Sequence, residues 1–302
     1  MQAPVPFDLE RVVRSHGWYD LAPWTWDPER RILTRPLLLS TGRVVQVEVT
    51  EAGPAELALR VTAKGRVAAA EAGEARRLLR ASLALDEDLE PFRARARQIE
   101  GNEGPRPVQV ALDHGLGRLL RSPTVFEDAV KTLCTTNCSW GLTRSMVTRL
   151  VEDLGEPGPA GRAFPSAQAM ASRSERFFRD HLRVGYRAPY FRTLARSVAS
   201  GDLDVEGWRD PAIPTADLER RIRALLGFGP YATEHLMRLL GRHDGLALDS
   251  WTRRKVAELR GRRRPPSDAT IEKWFRPWGE WAGLAMWLEA TTDWHEDVPA
   301  RP

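Results

Sequence analysis

The stretch of sequence that decides the fold is Leu225–Asp249, which reads LLGFGPYATEHLMRLLGRHDGLALD. Apolar residues recur at helical spacing on both sides of Gly227-Phe228-Gly229, which predicts one helix that stops at Gly227 and another that begins after Pro230. These apolar positions are Leu218, Ile222, Leu225, Leu226, Ala232, Leu236, Leu239 and Leu240. Three residues between two helices leave room only for a tight hairpin, in which glycine permits a positive φ and a close approach of a ligand to the backbone.

The hairpin has the features of an anion site. The first amides of a helix have no partner within that helix, and the positive end of its dipole lies beside them. A phosphate can bind there, and such a contact reads no base sequence. An ordinary corner between two helices has the same pattern, so this segment alone leaves both interpretations open.

Asp249 lies 18 residues after Tyr231 and directly precedes a predicted helix over Ser250–Leu259. Aspartate is a preferred N-cap residue, so capping is a complete structural explanation for Asp249 on its own. The same position next to a helix N-terminus favours the ionised carboxylate, which is the form needed to stabilise a developing positive charge.

Taken together, a helix, a G-F-G hairpin, a second helix and an aspartate at this interval resemble the helix-hairpin-helix DNA glycosylase superfamily. Three other stretches resemble its 3-methyladenine and 8-oxoguanine branch, namely Gly117–Asn137, Gly185–Ala188 and Trp278–Leu288. The resemblance is clear over residues 110–290 and weak over the first 85. It implies that the hairpin grips the DNA backbone through Gly227, Gly229 and Tyr231, and that Asp249 drives cleavage of the N-glycosidic bond.

Members of this superfamily that also cut the strand carry a lysine two residues after the second glycine of the hairpin. In this chain Tyr231 stands there, and a phenol cannot form an imine with the sugar. The chain has only four lysines, Lys64, Lys131, Lys255 and Lys273, and none lies in the hairpin. The resemblance therefore implies a monofunctional enzyme in which water is the nucleophile, with Tyr231 as a pocket wall or a phosphate hydrogen-bond donor.

Three further residues match DNA contacts of the family. Asn137 matches the asparagine that fills the gap left by the everted base, Tyr186 the intercalating tyrosine, and Arg187 the arginine that reads the unpaired opposite base. A helix end, a core aromatic residue and a solvated charge are the structural alternatives. The 8-oxoguanine enzymes have a second opposite-base arginine, whose place is taken here by Leu142, so recognition of an opposite cytosine is in doubt.

The base pocket differs from that of the 8-oxoguanine enzymes. Their glutamine and phenylalanine of the last helix align with Met286 and Ala290, which supply neither hydrogen bonds nor a stacking wall. Trp251 and Trp281, with Met286, are instead the predicted pocket residues, and electron-rich indole faces favour a cationic, N-alkylated purine by about 0.5–2 kcal/mol. The hypothesis is therefore release of 3-methyladenine or 7-methylguanine in preference to 8-oxoguanine.

Composition limits the remaining possibilities. The 302 residues contain no long apolar stretch, and residues 1–10 do not have the pattern of an export signal, so we expect no membrane contact and a cytoplasmic, nucleoid-associated protein. Two cysteines, Cys134 and Cys138, cannot hold a four-cysteine iron–sulfur cluster, and the six histidines show no metal-ligand spacing. We expect no cofactor and no metal site, with a structural monovalent cation at the hairpin left open. A net charge of +4 fits binding to duplex DNA.

The predicted fold class is α+β. Alternation over Arg43–Thr50 and Leu57–Thr62, with a turn at Ser40–Gly42 and a partner strand at Leu37–Leu39, indicates an antiparallel sheet. From about residue 71 the period becomes helical, with helices over 75–85 and 89–98, and with a capping box at Thr124 and Glu127 that opens another. We predict an N-terminal antiparallel β domain over 1–85, similar to the TATA-box-binding-protein-like domain of the family, and a helical glycosylase domain over 86–302.

The resulting functional hypothesis is a monomeric, monofunctional DNA glycosylase that excises a damaged, N-alkylated purine from duplex DNA by base flipping. An 8-oxoguanine-type glycosylase without lyase activity is the alternative among enzymes. A non-catalytic protein that binds DNA lesions is the alternative from another class, although a binder has no need for Asp249.

Overall fold

The computed structural model describes residues 1–101 and 107–295. After one short helix and a 3-10 turn comes a four-stranded antiparallel sheet, with its strands in the chain order β1-β2-β3-β4. The strands are β1 Thr25–Asp27, β2 Ile32–Leu38, β3 Val44–Gly53 and β4 Glu56–Thr62. The predicted pair of alternating strands and the partner strand before them are confirmed. The short edge strand β1 is an addition, since three residues cannot establish an alternating pattern.

Most of the rest of the described chain is helical. The helices are α1 Leu9–Val13, α2 Ala69–Ser82, α3 Glu90–Glu100, α4 Pro107–Asp113, α5 Val125–Thr135, α6 Trp140–Leu154, α7 Ala167–Ala171, α8 Ala188–Ala199, α9 Thr215–Arg223, α10 Pro230–Leu239, α11 Ser250–Leu259, α12 Asp268–Phe275 and α13 Ala282–Ala290. Short 3-10 or π segments lie at Gly17–Asp20, Phe177–His181, Gly185–Arg187, Glu206–Arg209, Arg276–Trp281 and Thr292–His295. A two-stranded ribbon, β5 Pro157–Gly158 with β6 Gly161–Arg162, follows α6. The α+β fold class is confirmed. None of the described helices has the length and apolar character that crossing a membrane requires.

The described apolar side chains form two buried clusters. The first combines the sheet with α5 to α10 and includes Val47 and Phe228. The second is built from α3, α4 and α11 to α13 and includes Met286. The second helix of the predicted hairpin, α10, therefore packs in the first cluster, and α11, which follows Asp249, packs in the second. The domain boundary near residue 85 stays a prediction.

A buried ion cluster fastens the sheet to α5. Arg35, on the inward face of β2, donates to both carboxylate oxygens of Glu127, at 3.2 and 2.8 Å. Lys131, one turn further along α5, lies with its Nζ 2.8 Å from the same carboxylate, and all three side chains are at most 3% exposed. The packed sheet thus fixes the position of the helix that leads to Asn137.

The predicted capping box at the start of α5 is only half present. The Thr124 hydroxyl accepts a hydrogen bond from the Glu127 amide at 3.2 Å, as expected. The Glu127 carboxylate does not return to Thr124, because it binds the two buried cations Arg35 and Lys131. A hydrogen bond to one amide is weaker than two ion pairs in a buried environment, so the reciprocal contact is lost.

Candidate active site

The hairpin between α9 and α10 is stabilised from inside the first cluster. Phe228 is buried, while Gly227 adopts a φ of +92° and a Cβ at that position would clash with the Tyr190 ring. The first helix ends at Arg223, so the prediction that it continues to Gly227 is wrong by one turn. Leu225 and Leu226 belong to the connection instead, and Leu226 is exposed at the hairpin.

The N-terminus of α10 is open. Gly229 is its N-cap and supplies no side-chain hydrogen bond, and Thr233 provides the amide that bonds to the Gly229 carbonyl, at 3.0 Å. The amides of Tyr231 and Ala232 therefore have no intrahelical acceptor. A Cβ on Gly229 would meet nothing within 4 Å. The space beside Gly229 at this helix end is therefore open, as an anion site requires.

We expect Gly229→Ala and Gly227→Ala to separate binding from stability. The Gly229 backbone is extended and faces open space, so the alanine should change the free energy of unfolding by less than about 1 kcal/mol. Its methyl group should hinder a phosphate at the helix end and weaken duplex affinity about tenfold. Gly227→Ala should instead destabilise the fold by at least 1–2 kcal/mol, because residue 227 has a left-handed φ.

Urea unfolding measures the free energy of unfolding of both variants, and fluorescence titration of a labelled duplex measures their affinity for DNA. Equal affinities of Gly229→Ala and the wild type would contradict the anion site.

Asp249 is the N-cap of α11, as predicted, and α11 spans Ser250–Leu259. Its Oδ1 accepts hydrogen bonds from the Thr252 amide at 2.7 Å and from the Thr252 hydroxyl at 2.9 Å. Among the described residues no donor bonds to Oδ2. Capping therefore engages only one carboxylate oxygen, and the side chain is half-buried in the wall of a cavity.

Two residues of α10 hold the loop that carries Asp249. Glu234 accepts the Ala247 amide at 2.6 Å, and buried Arg238 donates to the carbonyls of Gly245 and Leu246 at 3.2 and 2.9 Å. Burial lowers the pKa of Arg238 to about 10, so it remains a cation at neutral pH. Neither residue was predicted from the sequence, although a Glu and an Arg one turn apart among apolar helix positions are a signal that it contains. They link the hairpin helix to the catalytic candidate across the two clusters.

The cavity has a volume of about 950 Å³. Its wall contains the hairpin, the end of α5 and the start of α11, with these lining residues: Thr135–Cys138, Tyr186, Tyr190, Arg223–Ala232, Leu248–Ser250 and Arg253. Arg223 and Arg253 contribute positive charge to this wall. Arg253 is oriented by a two-point ion pair with Asp268, at 2.7 and 2.9 Å. A negatively charged backbone that enters this cavity meets the helix N-terminus and two guanidinium groups.

Tyr231 lines the same cavity and is half-buried. Burial first, and the neighbouring Asp249 second, raise the pKa of its phenol. The hydroxyl therefore keeps its proton at neutral pH and is a hydrogen-bond donor beside Asp249. Its ring stacks on His235 with the centroids 5.8 Å apart.

Asn137 and Tyr186 come together at the mouth of the cavity. The Asn137 amide nitrogen donates to the Tyr186 hydroxyl at 3.1 Å, and both side chains are exposed. Arg187 does not line the cavity: it is 4% exposed and donates to Thr136 and Val184. The structure thus brings two of these three predicted DNA-contacting residues to the surface.

The predicted base-pocket residues are dispersed. Trp251 is half-buried beside Asp249 and contacts the rings of Trp287 and Trp294, with centroids 5.8 and 5.4 Å apart. Trp281 stacks on Phe92 at 5.1 Å, and Met286 is fully buried in the second cluster. Trp251, Trp281 and Met286 are not among the residues that line the cavity, because all three pack in or against the second cluster.

Residues 1–101 and 107–295 hold no group of three or more His, Cys, Asp or Glu side chains that could bind a metal ion. Cys134 is buried, and Cys138 is half-buried at the cavity wall. The absence of a cofactor stays a prediction, and the question of a monovalent cation at the hairpin stays open.

No protein-family model matches the chain, and no curated protein sequence does. Solved structures do match. A 3-methyladenine DNA-glycosylase from Archaeoglobus fulgidus is 16% identical, with a TM-score of 0.76 over 99% of both chains. An 8-oxoguanine glycosylase/lyase from Clostridium acetobutylicum is 17% identical, with a TM-score of 0.69 over 94% of this chain and 92% of that one. A DNA-3-methyladenine glycosidase from Bacillus halodurans is 20% identical, with a TM-score of 0.51 over 70% of this chain and 94% of that one. With its G-F-G hairpin between α9 and α10, this chain has the helix-hairpin-helix glycosylase fold.

Proposed function

We propose that this protein is a monofunctional DNA glycosylase that excises an N-alkylated purine from duplex DNA and leaves an abasic site. The observation that carries the proposal is the pairing, in one cavity, of an open helix N-terminus with a carboxylate oxygen of Asp249 that capping leaves free. The first feature binds a phosphate, and the second stabilises a cationic sugar next to it. The names of the structural neighbours, two 3-methyladenine enzymes and an 8-oxoguanine enzyme, support the same class of reaction.

The reaction begins with eversion of the damaged nucleotide, because its glycosidic bond is out of reach inside the duplex. The hairpin amides, Arg223 and Arg253 hold the flanking phosphates. As the bond between base and sugar breaks, positive charge develops on the sugar, and the Asp249 carboxylate stabilises it. A water molecule then adds to the sugar carbon, and Asp249 assists by accepting its proton. The products are the free base and an abasic site.

Hydrolysis without strand cleavage is supported by the positions of the amines. All four lysines lie in the described ranges, and none of them lines the cavity. Lys131 is fully buried in its ion pair with Glu127, and Lys255 is paired with Asp293 at 2.6 Å. Tyr231 occupies the hairpin position of the imine-forming lysine, and its phenol offers only a hydrogen bond.

The choice of an N-alkylated purine rests on the bond to be broken. Alkylation on a ring nitrogen makes the base cationic and weakens the glycosidic bond, so an enzyme with few hydrogen bonds to the base suffices. Trp251, the second residue after Asp249, belongs to a group of three contacting indoles with Trp287 and Trp294 and is not among the residues that line the cavity.

A panel of duplexes that each carry a single lesion tests this proposal. We expect the wild type to release 3-methyladenine or 7-methylguanine faster than 8-oxoguanine. Strand breaks should appear only after alkali or heat, and borohydride added during turnover should trap no protein–DNA adduct. Faster release of 8-oxoguanine opposite cytosine would favour the 8-oxoguanine alternative, and a trapped adduct would contradict the monofunctional mechanism. Tight binding of lesions without release of any base would favour a non-catalytic binder.

A further inference from the structure

Two separate segments of the chain meet at the mouth of the cavity. Thr136 and Asn137 follow the end of α5, and Tyr186 and Arg187 lie in the 3-10 turn that leads into α8. Asn137 adopts a positive φ of 46°, a conformation that asparagine tolerates better than most residues. The hydrogen bond from Asn137 to the Tyr186 hydroxyl joins two exposed side chains, which by themselves would not stay fixed relative to each other.

Arg187 joins the same two segments from beneath. Its Nε donates to the Thr136 hydroxyl at 3.0 Å, one terminal nitrogen donates to the Thr136 carbonyl, and the other lies 3.4 Å from the Val184 carbonyl. The guanidinium carbon also lies 4.6 Å from the centre of the Tyr186 ring. Each nitrogen of the guanidinium thus has a protein acceptor, and the side chain is only 4% exposed.

We propose that Arg187 is a positioning residue that holds Asn137 and Tyr186 as one rigid wedge, and that it does not read the opposite base. The inference rests on the proposed function, since a wedge matters only to a protein that everts a nucleotide. A planar guanidinium with several donors can fix a carbonyl, a hydroxyl and an aromatic face at the same time. A rigid wedge keeps the gap in the stack filled while the damaged base is outside the helix.

One consequence concerns the undamaged strand. The donors of Arg187 are engaged within the protein, and Leu142, five residues after Asn137, is 41% exposed and has no hydrogen-bonding group. Neither side chain offers hydrogen bonds to the unpaired base. We therefore expect wild-type excision rates that differ by less than about threefold among the four opposite bases, which corresponds to under 1 kcal/mol.

Arg187→Lys tests the positioning role. Lysine keeps the charge, but it cannot bind Thr136 at two points and lie against Tyr186 at the same time. Unpairing and unstacking a base costs a few kcal/mol in a duplex and little in a single strand, so excision from duplex should fall about tenfold or more, and excision from single-stranded DNA less than threefold. Arg196→Lys, an exposed position on α8, is the control and should leave both rates unchanged.

A second variant and a binding measurement make the test independent of folding and of catalysis. Thr136→Val removes the hydroxyl acceptor at nearly constant volume, so it should cause a smaller loss in the same direction. The binding probe is a duplex with 2-aminopurine opposite a tetrahydrofuran abasic analogue. Binding of the wild type should raise the fluorescence of the 2-aminopurine. Arg187→Lys should largely abolish this rise, even if no base is ever released.

The outcomes distinguish the possible roles of Arg187. A selective loss on duplex DNA, with the profile over opposite bases still flat, supports the wedge. A variant whose rates change for one opposite base alone shows that Arg187 reads that base, and equal losses on single and double strands show a general effect on fold or chemistry. Either of these overturns the inference. If the wild type releases no base but the fluorescence results hold, the proposed function fails and the wedge stands.

Discussion

Replacing Asp249 by Asn should lower the rate of base release by on the order of 10²–10³-fold, the range seen when one electrostatic stabiliser of a transition state is removed. The two side chains have nearly the same volume, and asparagine is an equally good N-cap. The amide oxygen can still accept the Thr252 amide that Oδ1 binds at 2.7 Å, so α11 should remain intact. Only the negative charge is lost. Affinity for duplex DNA should stay the same or rise, because an anion near phosphates is removed.

Single-turnover excision of a methylated purine and titration of an abasic-analogue duplex measure the two effects of Asp249→Asn. Asp244→Asn is a matched control, since Asp244 is exposed on the same loop and does not line the cavity. It should behave as the wild type does. Excision by Asp249→Asn at the wild-type rate would show that another group stabilises the sugar, and the mechanism proposed above would be wrong.

Glu127→Gln should cause the largest loss of stability. The substitution leaves the buried cations Arg35 and Lys131 without their common anion, and breaking a buried ion pair by removing one partner costs about 3–5 kcal/mol. Urea unfolding followed by circular dichroism measures the change. Glu152→Gln, at an exposed position on α6, is the control and should shift the free energy of unfolding by less than about 0.5 kcal/mol. A loss below 1 kcal/mol for Glu127→Gln would mean that water or a rearranged side chain replaces the carboxylate.

The same cluster gives a pH dependence with a definite sign. Burial alone would raise the pKa of Glu127, but the attraction of Arg35 and Lys131 outweighs burial and holds the pKa below its usual range. A carboxylate with a lowered pKa stabilises the fold fully above its unfolded pKa of about 4.3, and this contribution disappears as the pH falls through the folded value. In Glu127→Gln the corresponding part of the acid destabilisation should be absent.

The ion pair between Arg35 and Glu127 could not be predicted from the sequence, because nothing in it shows that the two residues are partners. They are 92 positions apart, and only the inward face of β2 against α5 makes them partners. The pattern that predicted a capping box at Thr124 was locally correct for the hydroxyl and wrong for the carboxylate. A local motif takes into account only groups that are close in the chain. The Glu127 carboxylate instead binds Arg35, which lies on β2.

Base-pocket residues were the least predictable part of the candidate site. Alignment with the family's last helix suggested Met286, and Trp281 lies in the same stretch, but both side chains pack in or against the second buried cluster. Which side of a largely apolar helix faces a cavity depends on what packs against it, and an apolar stretch such as Trp278–Leu288 carries no polar side that would fix the answer. For Arg187, likewise, the sequence shows the charge but not its acceptors at Thr136.

By itself, the sequence determined the features that depend on local backbone preferences. Glycines at 227 and 229, proline at 230 and aspartate at 249 specify a hairpin and two helix starts, because each residue type favours one backbone conformation or one capping bond. Alternating valines specified the central strand in the same way. The tertiary structure alone decided how these features meet. It joins the two clusters through Glu234 and Arg238, which hold the loop before Asp249 and place its free oxygen in the hairpin's cavity. Such contacts between a helix and a loop depend on packing that no local pattern encodes.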